Sequence, residues 1–217
     1  MAAKAICPIC GKRRAERYCP AKGESICAVD CGTDREVSID CPADCSYLIA
    51  AHRWEHAHPK QLAENEIPFP DVSFPADLIR TQQAALSGLG FTVVTYARDQ
   101  RSLVDADIFA AVIAMAETCR TLLSGIYYEK PPGYPVADGL YAALAKFIED
   151  EKKHAAEHPE RPAVKSSEIF HLLVFFARFG RLRSNGRPKT RAFLDFLRTQ
   201  FPLEPGQSRE EPRIIMP

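Results

Sequence analysis

The feature that most constrains this chain is a cluster of cysteines near its start. Seven of its eight cysteines lie between Cys7 and Cys45, and His52, His56 and His58 follow closely. The pattern reads Cys7-x2-Cys10-x8-Cys19-x7-Cys27-x3-Cys31-x9-Cys41-x3-Cys45-x6-His52. Thiolate is a strong ligand for zinc, and a tetrahedral ion takes four ligands. Seven thiols and one imidazole make eight ligands, so the pattern predicts two closed zinc sites.

The predicted ligands divide between the two ions as in a cross-brace, in which alternate ligand pairs share an ion. The first ion is assigned to Cys7, Cys10, Cys27 and Cys31, and the second to Cys19, Cys41, Cys45 and His52. Two alternatives stay open. Asp30 stands three residues after Cys27, and a carboxylate oxygen also binds zinc, so Asp30 can replace Cys31. His56 lies one helical turn from His52 and can replace it. Because eight ligands fill both shells, the predicted zinc is structural and not catalytic.

The cysteine-rich segment also resembles known zinc modules. Its spacing over residues 7–56 resembles the B-box and related cross-brace two-zinc fingers, which mix Cys, His and Asp ligands. The flanking sequences are similar to a recurrent bacterial Cys-rich module: CPICGKRRAERYCPAKG and CGTDREVSIDCPADCSYL. B-box-like modules mediate protein contacts. The resemblance therefore implies a protein-interaction or regulatory role and a protein partner.

Whether these cysteines bind metal or form disulfides depends on the redox compartment of the protein. The first residues contain no apolar segment typical of a signal peptide, and no apolar run reaches the roughly 20 residues of a membrane span. We therefore expect a cytoplasmic protein without a membrane partner, where structural disulfides are rare and an odd number of cysteines fits them poorly. Iron–sulfur spacings are not matched. A redox or metal-responsive sensor acting through the thiolates stays open as an alternative.

The composition changes after the cysteine-rich segment. Residues 1–56 have few large aliphatic side chains, so folding free energy has to come from the metal. Residues 57–76 contain four prolines and predict an extended connector, residues 77–201 a bundle of four or five helices, and residues 202–217 a flexible tail. The fold class is therefore mainly α. Apolar residues at helical spacing predict helices over 76–98, 105–126, 136–156, 166–180 and 188–200.

Two basic clusters predict an alternative, nucleic-acid-binding role. The first spans Lys12–Arg17 and the second Arg178–Arg191. Cations on one face gain free energy by releasing counterions from a phosphate backbone. The candidate contacts are Arg13, Arg14, Arg17, Arg181, Arg183, Arg187, Lys189 and Arg191. The competing interpretation of the second cluster is a solvated loop whose arginines pair with acidic helix faces such as Glu149–Glu151.

Other motifs do not point to an enzyme. The 28 basic and 28 acidic residues cancel, so no overall field drives non-specific binding to nucleic acid or membrane. The sequence contains no nucleophile elbow, Walker loop, dinucleotide-binding glycine pattern or H-E-x-x-H motif. Cys119, the eighth cysteine, lies on the apolar stripe of a predicted helix and suits a core position.

Overall fold

The computed structural model describes residues 5–58, 61–157 and 164–202. The predicted flexible tail, apart from Pro202, lies outside these residues. The described residues form a two-stranded sheet and eight α-helices, in chain order: β1 Arg17–Cys19, β2 Glu24–Ile26, α1 Ala28–Asp34, α2 Ser46–Ala57, α3 Leu78–Thr81, α4 Gln83–Asp99, α5 Asp105–Leu123, α6 Pro135–Glu157, α7 Ser166–Arg183 and α8 Ala192–Gln200. The predicted mainly helical class is confirmed. Within the described residues, none of the helices combines the length and apolarity needed to cross a membrane.

Residues 5–58, which we call the head, have very little apolar core of their own. The antiparallel strands β1 and β2 pair Arg17 with Ile26 and Cys19 with Glu24. The buried cluster consists of two isoleucines and three cysteines: Cys7, Cys19, Ile26, Cys27 and Ile39. Burying so few aliphatic side chains contributes only a few kcal/mol, at about 1.5–3 kcal/mol for each large one. The head therefore needs another source of folding free energy.

The helices α3–α8, which we call the bundle, pack around a separate and much larger core. Helix α5 lies against α6 and α7, and α4 lies against α6 and α8. This core extends from Phe69 to Leu197 and, among the described residues, includes none from the head. Phe193 of α8 is fully buried between Phe109 and Phe176. The apolar periodicity that predicted these helices thus corresponds to one shared core.

Two glycines of α4 mark close helix contacts instead of a helix break. Glycine allows a break inside a helix, but α4 continues through Gly88 and Gly90, and the interruption falls earlier, at Gln82. A Cβ atom on Gly88 would lie 2.4 Å from the ring of Phe147, and one on Gly90 would lie 2.4 Å from the ring of Phe201. Both positions therefore lack a side chain because a neighbouring aromatic ring occupies the space.

Asp105 is the first residue of α5, but its side chain caps another helix. The Asp105 carboxylate accepts hydrogen bonds from the backbone N–H groups of Phe193 and Leu194, at 3.0 and 3.1 Å, at the start of α8. At α5 it is Asp107 that accepts from the N–H of Val104, at 3.0 Å. Asp105 is fully buried. It therefore joins the beginnings of two helices that are distant in sequence.

The buried Asp105 carboxylate predicts a specific pH dependence of stability. Burial raises its pKa to about 6 against an ordinary value of 3.8, although the α8 N–H groups and Ser184 oppose the shift. Between these two values the folded state keeps a proton that the unfolded state has lost. Raising the pH from about 4 to 6 should therefore lower the free energy of unfolding, by about 3 kcal/mol in total for a shift of about two units.

Urea unfolding of the wild type and the Asp105→Asn variant, at intervals between pH 4 and 7, measures this effect. The neutral amide cannot titrate, so the difference in stability between the two proteins should change across this range. Parallel pH profiles for the two proteins would show that Asp105 does not carry the proton.

The segment between α7 and α8 docks the head onto the bundle. Arg187 donates to the backbone oxygens of Gly32 and Arg35, at 2.9 and 2.5 Å. Lys189 donates to the oxygen of Ser38 at 2.9 Å. The expectation that these cations pair with the acidic face near Glu149 differs from the structure, where they contact the head. Residues far apart in sequence thus meet through side chain to backbone hydrogen bonds.

The described part of the predicted connector lies against α7. Arg178 donates to the backbone oxygens of Pro68, Phe69 and Val72. Phe69 is buried and packs edge to face against Phe170, with ring centroids 5.8 Å apart. One arginine therefore satisfies three carbonyl groups and holds this segment in place.

Candidate metal centre

The first two cysteines of the head lie on one tight turn. The N–H of Gly11 donates to the oxygen of Cys7 at 2.8 Å, and the N–H of Cys7 donates to the oxygen of Arg13 at 2.8 Å. Gly11 has a φ of 62°, a left-handed conformation that glycine adopts without steric cost. The turn therefore holds the side chains of Cys7 and Cys10 on the same side of the chain.

The other half of the centre is the start of α1. Cys27 is the N-cap residue, and its sulfur accepts a hydrogen bond from the backbone N–H of Asp30 at 3.3 Å. This places the Asp30 carboxylate, in the first turn of α1, beside the Cys27 thiol. The spacing Cys27-x2-Asp30 equals Cys7-x2-Cys10, so the two halves present their ligands in the same way.

These two halves face each other and form a four-residue cluster. One ligand atom from each of Cys7, Cys10, Cys27 and Asp30 lies within 4.8 Å of all the others. The Cys7 sulfur is 3.0 Å from Asp30 Oδ2, and the Cys10 and Cys27 sulfurs are 4.0 Å apart. A tetrahedral zinc ion with Zn–S distances of about 2.3 Å places its sulfur ligands about 3.8 Å apart. The cluster is thus close to the geometry that such an ion requires.

The electrostatics of the cluster favour an ionised carboxylate. Hydrogen bonds from the thiols of Cys10, Cys7 and Cys27, with the nearby Arg13 cation, lower the pKa of Asp30 to about 2. Arg13 Nη1 lies 3.6 Å from Asp30 Oδ1. A carboxylate that is charged at neutral pH is ready to bind a cation. The adjacent guanidinium compensates part of the negative charge that three thiolates and a carboxylate bring.

The thiols differ in how readily they ionise. The Asp30 carboxylate raises the pKa of Cys10, but the backbone N–H groups of Lys12 and Arg13 lower it, and the net shift of this pKa is downward. Burial raises the pKa of Cys27 in spite of the N–H of Asp30. A metal ion removes this difference, because coordination deprotonates a thiol outright.

This donor set fits a closed metal site. Three thiolates and a carboxylate make four ligands, and a four-coordinate zinc ion bound by them has no free position for a substrate water. Three of the four residues are those predicted for the first ion. The fourth is Asp30, the alternative that the sequence left open, and Cys31 lies outside the cluster.

The residues predicted for the second ion are not assembled in the same way. Within the described parts of the chain, only the first cluster has its ligand atoms within 4.8 Å of one another. Cys19 is buried, whereas Cys41 and Cys45 are half-buried. His52 faces Glu36 instead, with Nε2 3.0 Å from Glu36 Oε1, and its Nδ1 lies 3.8 Å from Asp195 Oδ2. Both ring nitrogens of His52 therefore face carboxylates.

The other two histidines of the head also lie apart from the cluster. His56, the alternative ligand, packs edge to face on Phe196 of α8, with ring centroids 6.3 Å apart. Burial and the neighbouring Arg183 lower the pKa of His56. His58 stacks on Trp54 and is exposed.

The candidate nucleic-acid contacts divide into two groups. In the second basic cluster, Arg181 lies over the ring of Phe109 and Arg183 over that of Phe196. Arg191 pairs with Asp40 at 2.6 Å, and Arg187 and Lys189 contact the head as described above. In the first cluster, Lys12, Arg13 and Arg14 are exposed, and Arg17 lies over the ring of Tyr47. The exposed cations therefore follow Cys10 directly in the chain, whereas those of the second cluster contact other parts of the protein.

Glu36 is a central residue that the sequence analysis missed. Its side chain is 2% exposed and accepts hydrogen bonds from His52, from Asn185 Nδ2 at 2.8 Å and from the N–H of Arg191 at 3.3 Å. Its φ of 55° is rare for a residue with a side chain. Hydrogen bonds to His52 and Asn185 lower its pKa although burial opposes them. No local pattern signals this role, because the partners are distant in sequence.

No protein-family profile, curated protein or solved structure matches this chain.

Proposed function

We propose that the head binds a structural zinc ion through Cys7, Cys10, Cys27 and Asp30, and that the protein acts as an interaction or regulatory module. The observation that carries this proposal is the convergence of three sulfurs and one carboxylate oxygen within 4.8 Å. Zinc accepts such a mixed sulfur and oxygen set, whereas calcium and magnesium prefer oxygen ligands alone. The second ion that the sequence predicts is a separate question from this first site.

A structural role for the ion follows from the small apolar core of the head. A core of two isoleucines and three cysteines cannot by itself offset the conformational entropy of more than 50 ordered residues. A zinc ion contributes on the order of 10 kcal/mol in peptide systems. The ion thus makes up for the missing apolar burial.

An interaction role is supported by the surface around the centre. Three apolar side chains next to ligands in sequence are exposed: Ile6 at 63%, Ile9 at 39% and Val29 at 50%. The exposed cations Lys12 and Arg14 lie in the same segment. Aliphatic side chains held on a metal-braced turn form a rigid surface, and surrounding cations favour a partner with acidic groups. We therefore infer a protein partner with an apolar and acidic surface.

Affinity capture from cell extract with a matched surface variant tests this role. The variant Ile6→Ser, Ile9→Ser, Val29→Ser removes the apolar side chains and keeps every ligand, so its metal content should equal that of the wild type. Proteins captured by the wild type should be lost with this variant and after chelation. An unchanged set of captured proteins would contradict the proposal, and nuclease-sensitive material held through Lys12 and Arg14 would favour the nucleic-acid alternative.

A further inference from the structure

Four cysteines of the head are left over once the first centre is assigned. They are Cys19, Cys31, Cys41 and Cys45. Cys31 is not a ligand of the first centre, because Asp30 is its fourth ligand. Successive residues of a helix point about 100° apart, so Asp30 and Cys31 of α1 face different sides. Their neighbours confirm this separation: Arg13 contacts Asp30 at 3.6 Å, and Arg17 contacts the Cys31 sulfur at 3.8 Å.

These four thiols belong to one region of the head. Cys19 is part of the small buried cluster, and Cys31 and Cys41 pack against that cluster. The backbone N–H of Cys45 donates to the oxygen of Pro42, the residue after Cys41, at 3.0 Å. A tight turn therefore holds Cys45 close to Cys41.

Arg17 links Cys31 to the segment that carries Cys45. Its guanidinium lies 3.8 Å from the Cys31 sulfur and 4.7 Å from the ring centre of Tyr47. Tyr47 is in the first turn of α2, and Cys45 is the N-cap residue of that helix. Arg17 therefore lies beside both the Cys31 sulfur and the first turn of the helix that follows Cys45.

The backbone around Cys19 repeats that around Cys7. In the segments Cys7-Pro-Ile-Cys-Gly11 and Cys19-Pro-Ala-Lys-Gly23, the glycine N–H donates to the first cysteine's oxygen, at 2.8 and 2.9 Å. The two glycines have φ values of 62° and 70°. The second turn has a lysine in place of the second cysteine and so supplies one thiol instead of two.

We propose that Cys19, Cys31, Cys41 and Cys45 bind a second zinc ion, as a four-thiolate site that does not include His52. This inference rests on the proposed function, because it assumes that the head folds around metal. It assigns all seven cysteines of the head, which with Asp30 give eight ligands for two four-coordinate ions. It also agrees with His52, whose ring nitrogens face Glu36 and Asp195.

Binding at this site changes the positions and the protonation of the thiols. In the described structure, no three of these sulfurs lie within 4.8 Å of one another, as those of the first centre do. A tetrahedral zinc ion would draw them to about 3.8 Å, given Zn–S distances of about 2.3 Å. Each thiol loses its proton to solvent on binding, so four protons are released for one ion bound and no electron is transferred.

Native mass spectrometry of the full chain, expressed with zinc, tests the inference by counting ions. We expect two ions in the wild type and in His52→Gln, and one ion in the double variant Cys41→Ser, Cys45→Ser. The double variant Cys10→Ser, Cys27→Ser should bind none, because its head unfolds without the first ion. One ion in the wild type, lost only from the Cys10 and Cys27 variant, would overturn the second site and leave the proposed function intact. Loss of an ion from His52→Gln would overturn the four-thiolate assignment. No ion in the wild type would reject the proposed function itself.

X-ray absorption at the zinc edge of the wild type gives a second measurement that does not depend on folded variants. The proposed sites contain seven sulfur ligands and one oxygen, an average of about 3.5 sulfurs for each ion. We expect this ratio without the outer-shell scattering of an imidazole ring. A clear imidazole contribution would show that a histidine completes the second site and would overturn the inference.

Discussion

Replacing Cys27 by serine is expected to release the ion of the first centre and to unfold most of the head, while the bundle stays folded. The proposed ion would supply folding free energy on the order of 10 kcal/mol, which the small cluster around Ile26 and Ile39 cannot replace. The bundle should persist because, in the described residues, its core from Phe69 to Leu197 includes no side chain of the head.

Hydrogen exchange followed by mass spectrometry resolves this result along the chain. Amides of residues 5–45 should exchange as in an unfolded peptide, and those of α4–α7 should stay protected. The segment 184–191 should also lose protection, because Arg187 and Lys189 donate to backbone oxygens of the head.

A matched control removes the only cysteine outside the head. Cys119→Ala deletes one buried thiol from α5, so it should cost bundle stability but leave metal content and head protection unchanged. If Cys27→Ser keeps the wild-type metal content and a protected head, the first centre is wrongly assigned.

Replacing Glu36 by alanine is expected to weaken the junction between head and bundle more than any other single carboxylate change there. Glu36 is buried and accepts hydrogen bonds from His52, Asn185 and the N–H of Arg191. Removing one member of a buried charged pair leaves its partner without a compensating charge and costs about 3–5 kcal/mol. Alanine keeps a Cβ atom at this left-handed position, so the substitution does not relieve backbone strain.

Asp40→Ala is the matched control for Glu36→Ala. Asp40 also faces the segment before α8, through its ion pair with Arg191, but its side chain is 60% exposed. An exposed pair contributes at most about 1 kcal/mol. Urea unfolding should therefore separate the two variants by at least about 2 kcal/mol. Equal losses of stability would show that Glu36 does not hold the junction.

The helices were predictable because their signal is local. Apolar residues recurring at helical spacing indicated the positions of α5, α6 and α7 to within a few residues, and each of these helices packs its apolar face into the shared core. The close contacts at Gly88 and Gly90 were not predictable. They depend on Phe147 and Phe201, which reach α4 only through the tertiary fold.

The four-residue cluster was predictable in its residue types but not in its full membership. Cysteine spacing identified Cys7, Cys10 and Cys27, because close thiols on turns have few other uses. The choice between Asp30 and Cys31 depended on where α1 begins, since a helix that starts after Cys27 carries Asp30 toward its N-cap sulfur. Equal spacing in Cys7-x2-Cys10 and Cys27-x2-Asp30 was the available signal.

The role of the second basic cluster was hidden for a different reason. Its cations contact backbone oxygens of Gly32, Arg35 and Ser38, and a backbone oxygen has no signature in the sequence. The sequence pattern of a basic cluster is the same whether its side chains bind phosphates or donate to the carbonyl groups of another segment.

Anomalous diffraction at the zinc edge, from crystals of the full chain purified without chelator, tests the central claim most directly. We expect a peak about 2.3 Å from the sulfurs of Cys7, Cys10 and Cys27 and about 2.0–2.2 Å from an oxygen of Asp30. An ordered head with no peak at this position, or with these cysteines joined by disulfide bonds, would contradict the account.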